Sequence, residues 1–125
     1  MRREGENCMP KAMIDLPELL ARVENDRELM RELLLIFKEE FPQRLQALRD
    51  GVASMNAERV AAEAHALTGM LSNLAAVPAA SAAARLEQLG RNREMSEFQE
   101  ACASFENISK ELLRQLDVCI AEVCG

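Results

Sequence analysis

Apolar residues recur at intervals of three and four over most of this chain, and that spacing predicts long amphipathic helices. The clearest stripe lies between residues 60 and 74, where five side chains fall on one helix face: Val60, Ala64, Leu67, Leu71 and Leu74. A longer stripe precedes it, formed by Leu29, Leu33, Ile36, Phe37, Phe41, Leu45, Leu48 and Val52. Another closes the chain, formed by Phe98, Cys102, Phe105, Ile108, Leu112, Leu116, Cys119 and Val123.

Capping and helix-breaking residues separate these stripes. Three side chains suited to helix N-caps stand before predicted helices: Asp15, Asp26 and Asn56. Pro42 falls inside the longest stripe, where we expect it to bend the helix without ending it. A further helix is predicted over residues 79–89, with Pro78 at its start and Gly90 as its C-terminal stop.

Short connections between long amphipathic helices favour antiparallel neighbours. We therefore predict an all-α fold, an antiparallel up-down four-helix bundle with a short extra N-terminal helix. The apolar side of that short helix consists of Leu16, Leu19, Leu20 and Val23. Residues 1–13 combine charge with Gly5 and Pro10 and have little periodicity, so we expect a flexible tail there and a bundle domain over residues 14–125.

The composition narrows the classes of function. The 125 residues suit one domain, and with no Trp, no Tyr and four Phe its core must be largely aliphatic. A net charge of −6 makes nucleic acid an unexpected partner. The four cysteines lack CxxC spacing and there is one histidine, so we expect no zinc site and reduced thiols. No membrane-spanning stretch or signal peptide is visible, and the cytoplasm is the predicted compartment.

The single histidine, His65, lies roughly 140° from the centre of the 60–74 stripe on a helix. Its own face carries small side chains: Ala61, Ala62, Thr68, Gly69 and Ser72. A glycine inside a helix costs about 1 kcal/mol relative to alanine. Either the close approach of another group near the imidazole or tight helix packing would explain Gly69.

An exposed imidazole is largely neutral at cellular pH and is therefore nucleophilic. Its ring nitrogen can attack phosphorus and hold a phosphoryl group through a labile N–P bond. Such a transfer needs in-line geometry and positive charge around the moving oxygens. The alternative is that His65 is a surface residue with no chemical task.

Three segments carry a family resemblance: His65-Ala66-Leu67-Thr68-Gly69, Asn73-Leu74 and Ala83-Ala84-Arg85-Leu86-Glu87. In type and spacing they resemble the histidine-containing phosphotransfer (HPt) domains of bacterial phosphorelays, and the resemblance extends from about Leu16 to Val123. It implies that His65 is phosphorylated and that Gly69 provides clearance for the phosphoryl group and the docking partner. It also implies docking at Ala61, Ala62, Ser72 and Arg91.

Two positions depart from the family pattern. Thr68 occupies the place of a lysine that supplies positive charge, and Ala75 occupies the place of a glycine. Arg91 could partly substitute for the missing lysine. The implied partners are response-regulator receiver domains and a hybrid sensor histidine kinase. The resemblance further implies a monomer without cofactor or metal of its own, Mg²⁺ being held by the receiver, and without autonomous kinase or hydrolase activity.

Two rival functions stay open. The dimerisation helices of a histidine kinase also present a helical histidine, but Ala66 and Met70 stand where that class has an acidic residue and a proline. No glycine-rich nucleotide-binding segment follows. The second rival is a helical adaptor of the same fold that binds signalling partners without being phosphorylated.

Overall fold

The computed structural model describes residues 13–124, with side chains described as far as Glu122. This part of the chain is helical and contains no strand. Its five α-helices are α1 (Leu16–Arg22), α2 (Arg27–Ala53), α3 (Ala57–Asn73), α4 (Val77–Arg91) and α5 (Phe98–Cys124), with a 3₁₀ turn at Met95–Glu97. The predicted all-α fold is confirmed.

The four long helices pack in a closed ring. α2 and α4 each contact both α3 and α5, and the short α1 packs against α2. Three-residue connections join α2 to α3 and α3 to α4, and such short connections are consistent with the predicted antiparallel arrangement of these helices. None of the helices within residues 13–124 combines the length and apolar character needed to cross a membrane.

The predicted N-caps form as expected. The carboxylates of Asp15 and Asp26 accept hydrogen bonds from the third residue along, at 3.1 and 3.0 Å. The Asn56 side chain accepts one from the Arg59 amide at 3.1 Å, which fixes the start of α3. Pro42 lies within α2 without ending it, as predicted.

The core follows the predicted stripes closely on α3 and α5. All five residues of the predicted stripe between residues 60 and 74 are buried, and Phe98, Phe105, Leu112 and Leu116 are fully buried on α5. Val123 lies outside the described side chains. The prediction for the first half of α2 is wrong. Met30 and Leu34 are buried there, whereas Leu29, Leu33 and Ile36 are exposed, Ile36 by 52%.

That error has a local cause. Residues 33–37 are consecutively apolar, so two neighbouring registers both satisfy helical spacing. Packing selects between them. Phe37 stacks on Phe41, with ring centroids 4.9 Å apart, and Phe41 contacts Phe105 of α5. These contacts turn Met30 and Leu34 inward.

Gly90 does not end its helix, contrary to the prediction. α4 spans Val77–Arg91, and Gly90 lies within it with an ordinary negative φ. A β-carbon on Gly90 would lie 2.7 Å from the Ala61 nitrogen and 3.0 Å from the Ala57 carbonyl oxygen. The absence of a side chain therefore lets α3 and α4 approach closely, which is the physical role of this glycine.

The predicted flexible tail lies outside the described residues except for Met13, as does Cys8. The Met13 amide donates a hydrogen bond to the Gln115 side chain at 2.8 Å, and its side chain packs against the core.

Cys102 and Cys119 are free and buried, in agreement with the predicted reduced thiols.

Candidate functional site

His65 projects from α3 on the side away from the core. The buried stripe of α3 fixes the rotation of the helix, and the imidazole is consequently 72% exposed. This exposure agrees with the sequence prediction and makes the ring accessible to another protein.

A carboxylate on the neighbouring helix holds one ring nitrogen. His65 Nδ1 lies 3.0 Å from Oε2 of Glu87, a side chain of α4 that is only 15% exposed. An ionised carboxylate can only accept a hydrogen bond, so the neutral imidazole places its proton on Nδ1. The lone pair is then on Nε2, the nitrogen not engaged by Glu87.

Arg91 holds the same carboxylate from one helical turn further along α4. Its Nη2 lies 2.5 Å from Glu87 Oε2, in an i, i+4 ion pair. Glu87 thus accepts from both the imidazole and the guanidinium. The carboxylate is partly buried and is held by two partners, so it fixes the orientation of the imidazole.

The contact of Glu87 with His65 was not predicted from the sequence. Glu87 matched the family segment on α4, but sequence spacing gave no sign that it would reach His65, 22 residues away. The one available signal was Arg91 four residues later, a spacing that favours an ion pair on one helix face.

A shallow depression lies beside the imidazole between α3 and α4. It is lined by Glu58, Ala61, Ala62, His65, Gly90, Arg91 and Arg93. Helical side chains lean toward the N-terminus of their helix, so the imidazole lies toward Ala61 and Ala62. Their small side chains and the close approach at Gly90 keep the floor of the depression low.

Gly69 lies on the exposed surface one turn beyond His65. A β-carbon built there meets no heavy atom within 4 Å. Tight helix packing is therefore not the reason for this glycine, in contrast to Gly90. A longer side chain at position 69 would lean back toward His65 and cover the approach to the imidazole.

Thr68 brings no charge to the site, and its hydroxyl is already engaged. Oγ1 donates a hydrogen bond to the Ala64 carbonyl at 2.8 Å, within the same helix. Its proton is therefore committed to the backbone of α3.

The predicted docking residues fall in two places. Ala61, Ala62 and Arg91 line the depression with His65, whereas Ser72 lies two turns away toward the end of α3. Ser72 is exposed, and its carbonyl accepts a hydrogen bond from Arg22 of α1 at 2.8 Å.

An apolar groove between α2 and α3 adjoins the Gly69 side of this surface. It is lined by Leu33, Ile36, Phe37, Glu40, Met70, Asn73 and Leu74. The predicted apolar stripe of α2 includes Leu33 and Ile36, but helical spacing alone does not separate exposed apolar residues from core residues, so the groove was not predicted. Among the residues that the structure describes, no three acidic, cysteine or histidine side chains are grouped to hold a metal ion.

Comparison with known proteins supplies the family context. The sequence profile of the Hpt domain matches residues 32–123. The chain is also similar to the crystal structure of histidine-containing phosphotransfer protein B (HptB) from Pseudomonas aeruginosa PAO1, with 20% identity and a TM-score of 0.76. That match covers 90% of this chain and 95% of HptB, and it shows a shared fold. A comparison with curated protein sequences gave no significant match.

Proposed function

Because the chain belongs to the Hpt domain family, we propose that it carries a phosphoryl group on His65 between aspartates of receiver domains. The observation that carries this proposal is the contact between His65 Nδ1 and the Glu87 carboxylate at 3.0 Å. This contact leaves the exposed Nε2 as the nucleophile. The resulting N–P bond would be accessible to a second receiver.

The transfer step is a displacement at phosphorus. The Nε2 lone pair attacks the phosphorus of an aspartyl phosphate, forming the N–P bond as the bond to the carboxylate oxygen breaks. The receiver's aspartate leaves as a carboxylate. The Nδ1 proton stays hydrogen-bonded to Glu87, whose negative charge stabilises the positive charge that the ring acquires. Mg²⁺ would be held by the receiver's acidic site.

Arg91 contributes to this step through Glu87. Its guanidinium holds the carboxylate in place, and Arg91 itself lines the depression beside His65. Thr68 offers no positive charge, whereas two arginines, Arg91 and Arg93, line the depression together with His65. No kinase or hydrolase activity of the chain itself forms part of the proposal.

The receiver would dock over His65, Gly69 and the small residues of α3, with the α2–α3 groove as an adjoining apolar contact. The groove is continuous with this surface through Met70 and Asn73. We expect Ile36→Asp to raise the KM for a phosphorylated receiver about tenfold, since it places a charge where apolar surface is buried. Val118→Asp is the control, because Val118 is similarly exposed, at 46% against 52% for Ile36, but lies on α5.

A label-transfer experiment tests the function. Wild-type protein and the His65→Gln variant are incubated with phosphorylated receiver domains, and the label is tested for stability to acid and alkali. An acid-labile, alkali-stable label on the wild-type protein alone supports the proposal. No transfer from any of several receivers would favour the non-phosphorylated adaptor instead, and a label on His65→Gln would refute the site.

The proposal includes a monomeric bundle in the cytoplasm, formed by the domain over residues 14–125. Closure of the helix ring within one chain supports a monomer. Light scattering coupled to size-exclusion chromatography tests it, with a mass of 13.9 kDa expected. A stable dimer mass would contradict this part of the proposal.

A further inference from the structure

The two arginines that line the depression beside His65 are held differently. Arg91 contacts Glu87, a carboxylate only 15% exposed, at 2.5 Å. Arg93 contacts Glu58, a carboxylate 85% exposed, at 3.4 Å. An ion pair as exposed as the second is worth little, because water and salt screen it. Arg93 can therefore leave its partner at small cost, whereas Arg91 leaving Glu87 would release the group that orients the imidazole.

The backbone determines where Arg93 points. Arg93 follows the C-cap of α4 and has a left-handed conformation, with φ of 56°. Glycine is the usual residue at such a position. Met55 and Ala75 have the same conformation after α2 and α3, so the conformation itself is this chain's common way of ending helices. At the end of α4, however, the residue is an arginine whose guanidinium reaches across to α3.

We infer that Arg93 supplies the positive charge for the phosphoryl oxygens on His65, replacing the lysine that is absent at Thr68. This inference rests on the proposed function. In the unphosphorylated protein Arg93 is paired with Glu58; when a phosphoryl group reaches Nε2, the guanidinium moves from Glu58 to the phosphoryl oxygens. A guanidinium binds such oxygens through two parallel hydrogen bonds, which a single exposed carboxylate contact at 3.4 Å does not match.

A purely structural role for Arg93 makes a different prediction. If the arginine only stabilises the packing of α4 against α3 through Glu58, then removing either member of the pair has the same effect on the rate of phosphoryl transfer. If Arg93 serves the phosphoryl group, Glu58 competes for it, and removing Glu58 leaves the arginine free to bind. Replacement of Arg93 and replacement of Glu58 then change the transfer rate in opposite directions.

The test measures initial rates of phosphoryl transfer from one phosphorylated receiver to the full chain and its variants. We expect Arg93→Gln to slow transfer about tenfold, in line with the loss of a hydrogen bond to a charged group. Arg93→Lys should retain most of the rate, because it keeps the charge. Glu58→Gln should transfer at least as fast as the wild type. Arg85→Gln is the matched control, since Arg85 lies on α4 outside the depression and pairs with Glu97 at 3.8 Å.

The salt dependence provides a second readout. Because the role of Arg93 is electrostatic, the difference between the wild type and Arg93→Gln should shrink as ionic strength rises. Equal rates for the wild type and Arg93→Gln, or equal losses in Arg93→Gln and Glu58→Gln, would overturn the inference while leaving the proposed function intact. A wild-type protein that takes no phosphoryl group would overturn both.

Discussion

Substitution of Gly69 is expected to raise the stability of the fold and at the same time to slow phosphoryl transfer. It lies inside α3 on the exposed surface, with a φ that is not positive, and nothing within 4 Å opposes a β-carbon there. Gly69→Ala should therefore stabilise the fold by about 1 kcal/mol, the difference in helix propensity. For a domain of this size the melting temperature should rise by roughly 4 °C.

The same substitution should impair transfer. A side chain at position 69 leans toward the N-terminus of α3 and hence toward His65. The methyl group of alanine is expected to slow transfer several-fold, by narrowing the approach to Nε2. Gly69→Gln should slow it by roughly two orders of magnitude, because its longer side chain covers the ring, while its helix propensity is close to that of alanine.

The assay combines chemical denaturation with the initial rate of transfer from a phosphorylated receiver, for the wild type and both variants. Gly90→Ala is the matched control for the fold. Its β-carbon would lie 2.7 Å from the Ala61 nitrogen, so it should lose about 1–3 kcal/mol of stability. If Gly69→Gln transferred phosphate at the wild-type rate, or if Gly69→Ala lowered stability, the clearance role assigned to Gly69 would be wrong.

Three further predictions concern the rest of the domain. Ala75→Gly should raise stability by about 0.5 kcal/mol in a denaturation assay without changing transfer, because Ala75 has φ of 58° and glycine relieves that strain. Burial raises the pKa of the Cys102 thiol to about 11 and also raises that of Cys119, so both should resist alkylation at pH 8 until the protein is denatured, as read by mass spectrometry. The hydrogen bond from Arg49 lowers the pKa of Glu106 below its ordinary value of 4.5. The ionised Glu106 carboxylate therefore contributes to the stability of the fold above pH 4.5, and this contribution is lost as the pH falls through the folded-state pKa of Glu106. Glu106→Gln should therefore cost about 0.5–1 kcal/mol at pH 7 and less at pH 3, by denaturation at both.

Helical periodicity was sufficient to predict the bundle, because each long stripe must be buried against another helix. The rotation of α3 and the exposure of His65 followed from one unambiguous stripe. The register of α2 did not follow, because its run of consecutive apolar residues fits two faces and only packing of Phe37 and Phe41 selects one. For the same reason, the sequence could not separate the exposed apolar residues of the groove from those of the core.

The parts of the site that sequence could not supply depend on contacts between helices. Both Gly69 and Gly90 lie inside helices, yet a β-carbon on Gly69 would face open space and one on Gly90 would meet a backbone nitrogen. Glu87 reaches His65 because α4 packs beside α3, and Arg93 lines the depression from the left-handed position that follows α4. Spacing along one helix contains no information about such contacts.

The identity of the His65 ring nitrogen that carries the phosphoryl group decides whether Glu87 orients the imidazole for transfer. The protein, labelled with ¹⁵N in its single histidine, is phosphorylated by a receiver and studied by ¹⁵N and ³¹P nuclear magnetic resonance. Because Glu87 holds the Nδ1 proton, we predict that phosphorus is bonded to Nε2 and that Nδ1 stays protonated. A phosphoryl group on Nδ1, or phosphorylation at Nε2 that is equally efficient in Glu87→Ala, would contradict it.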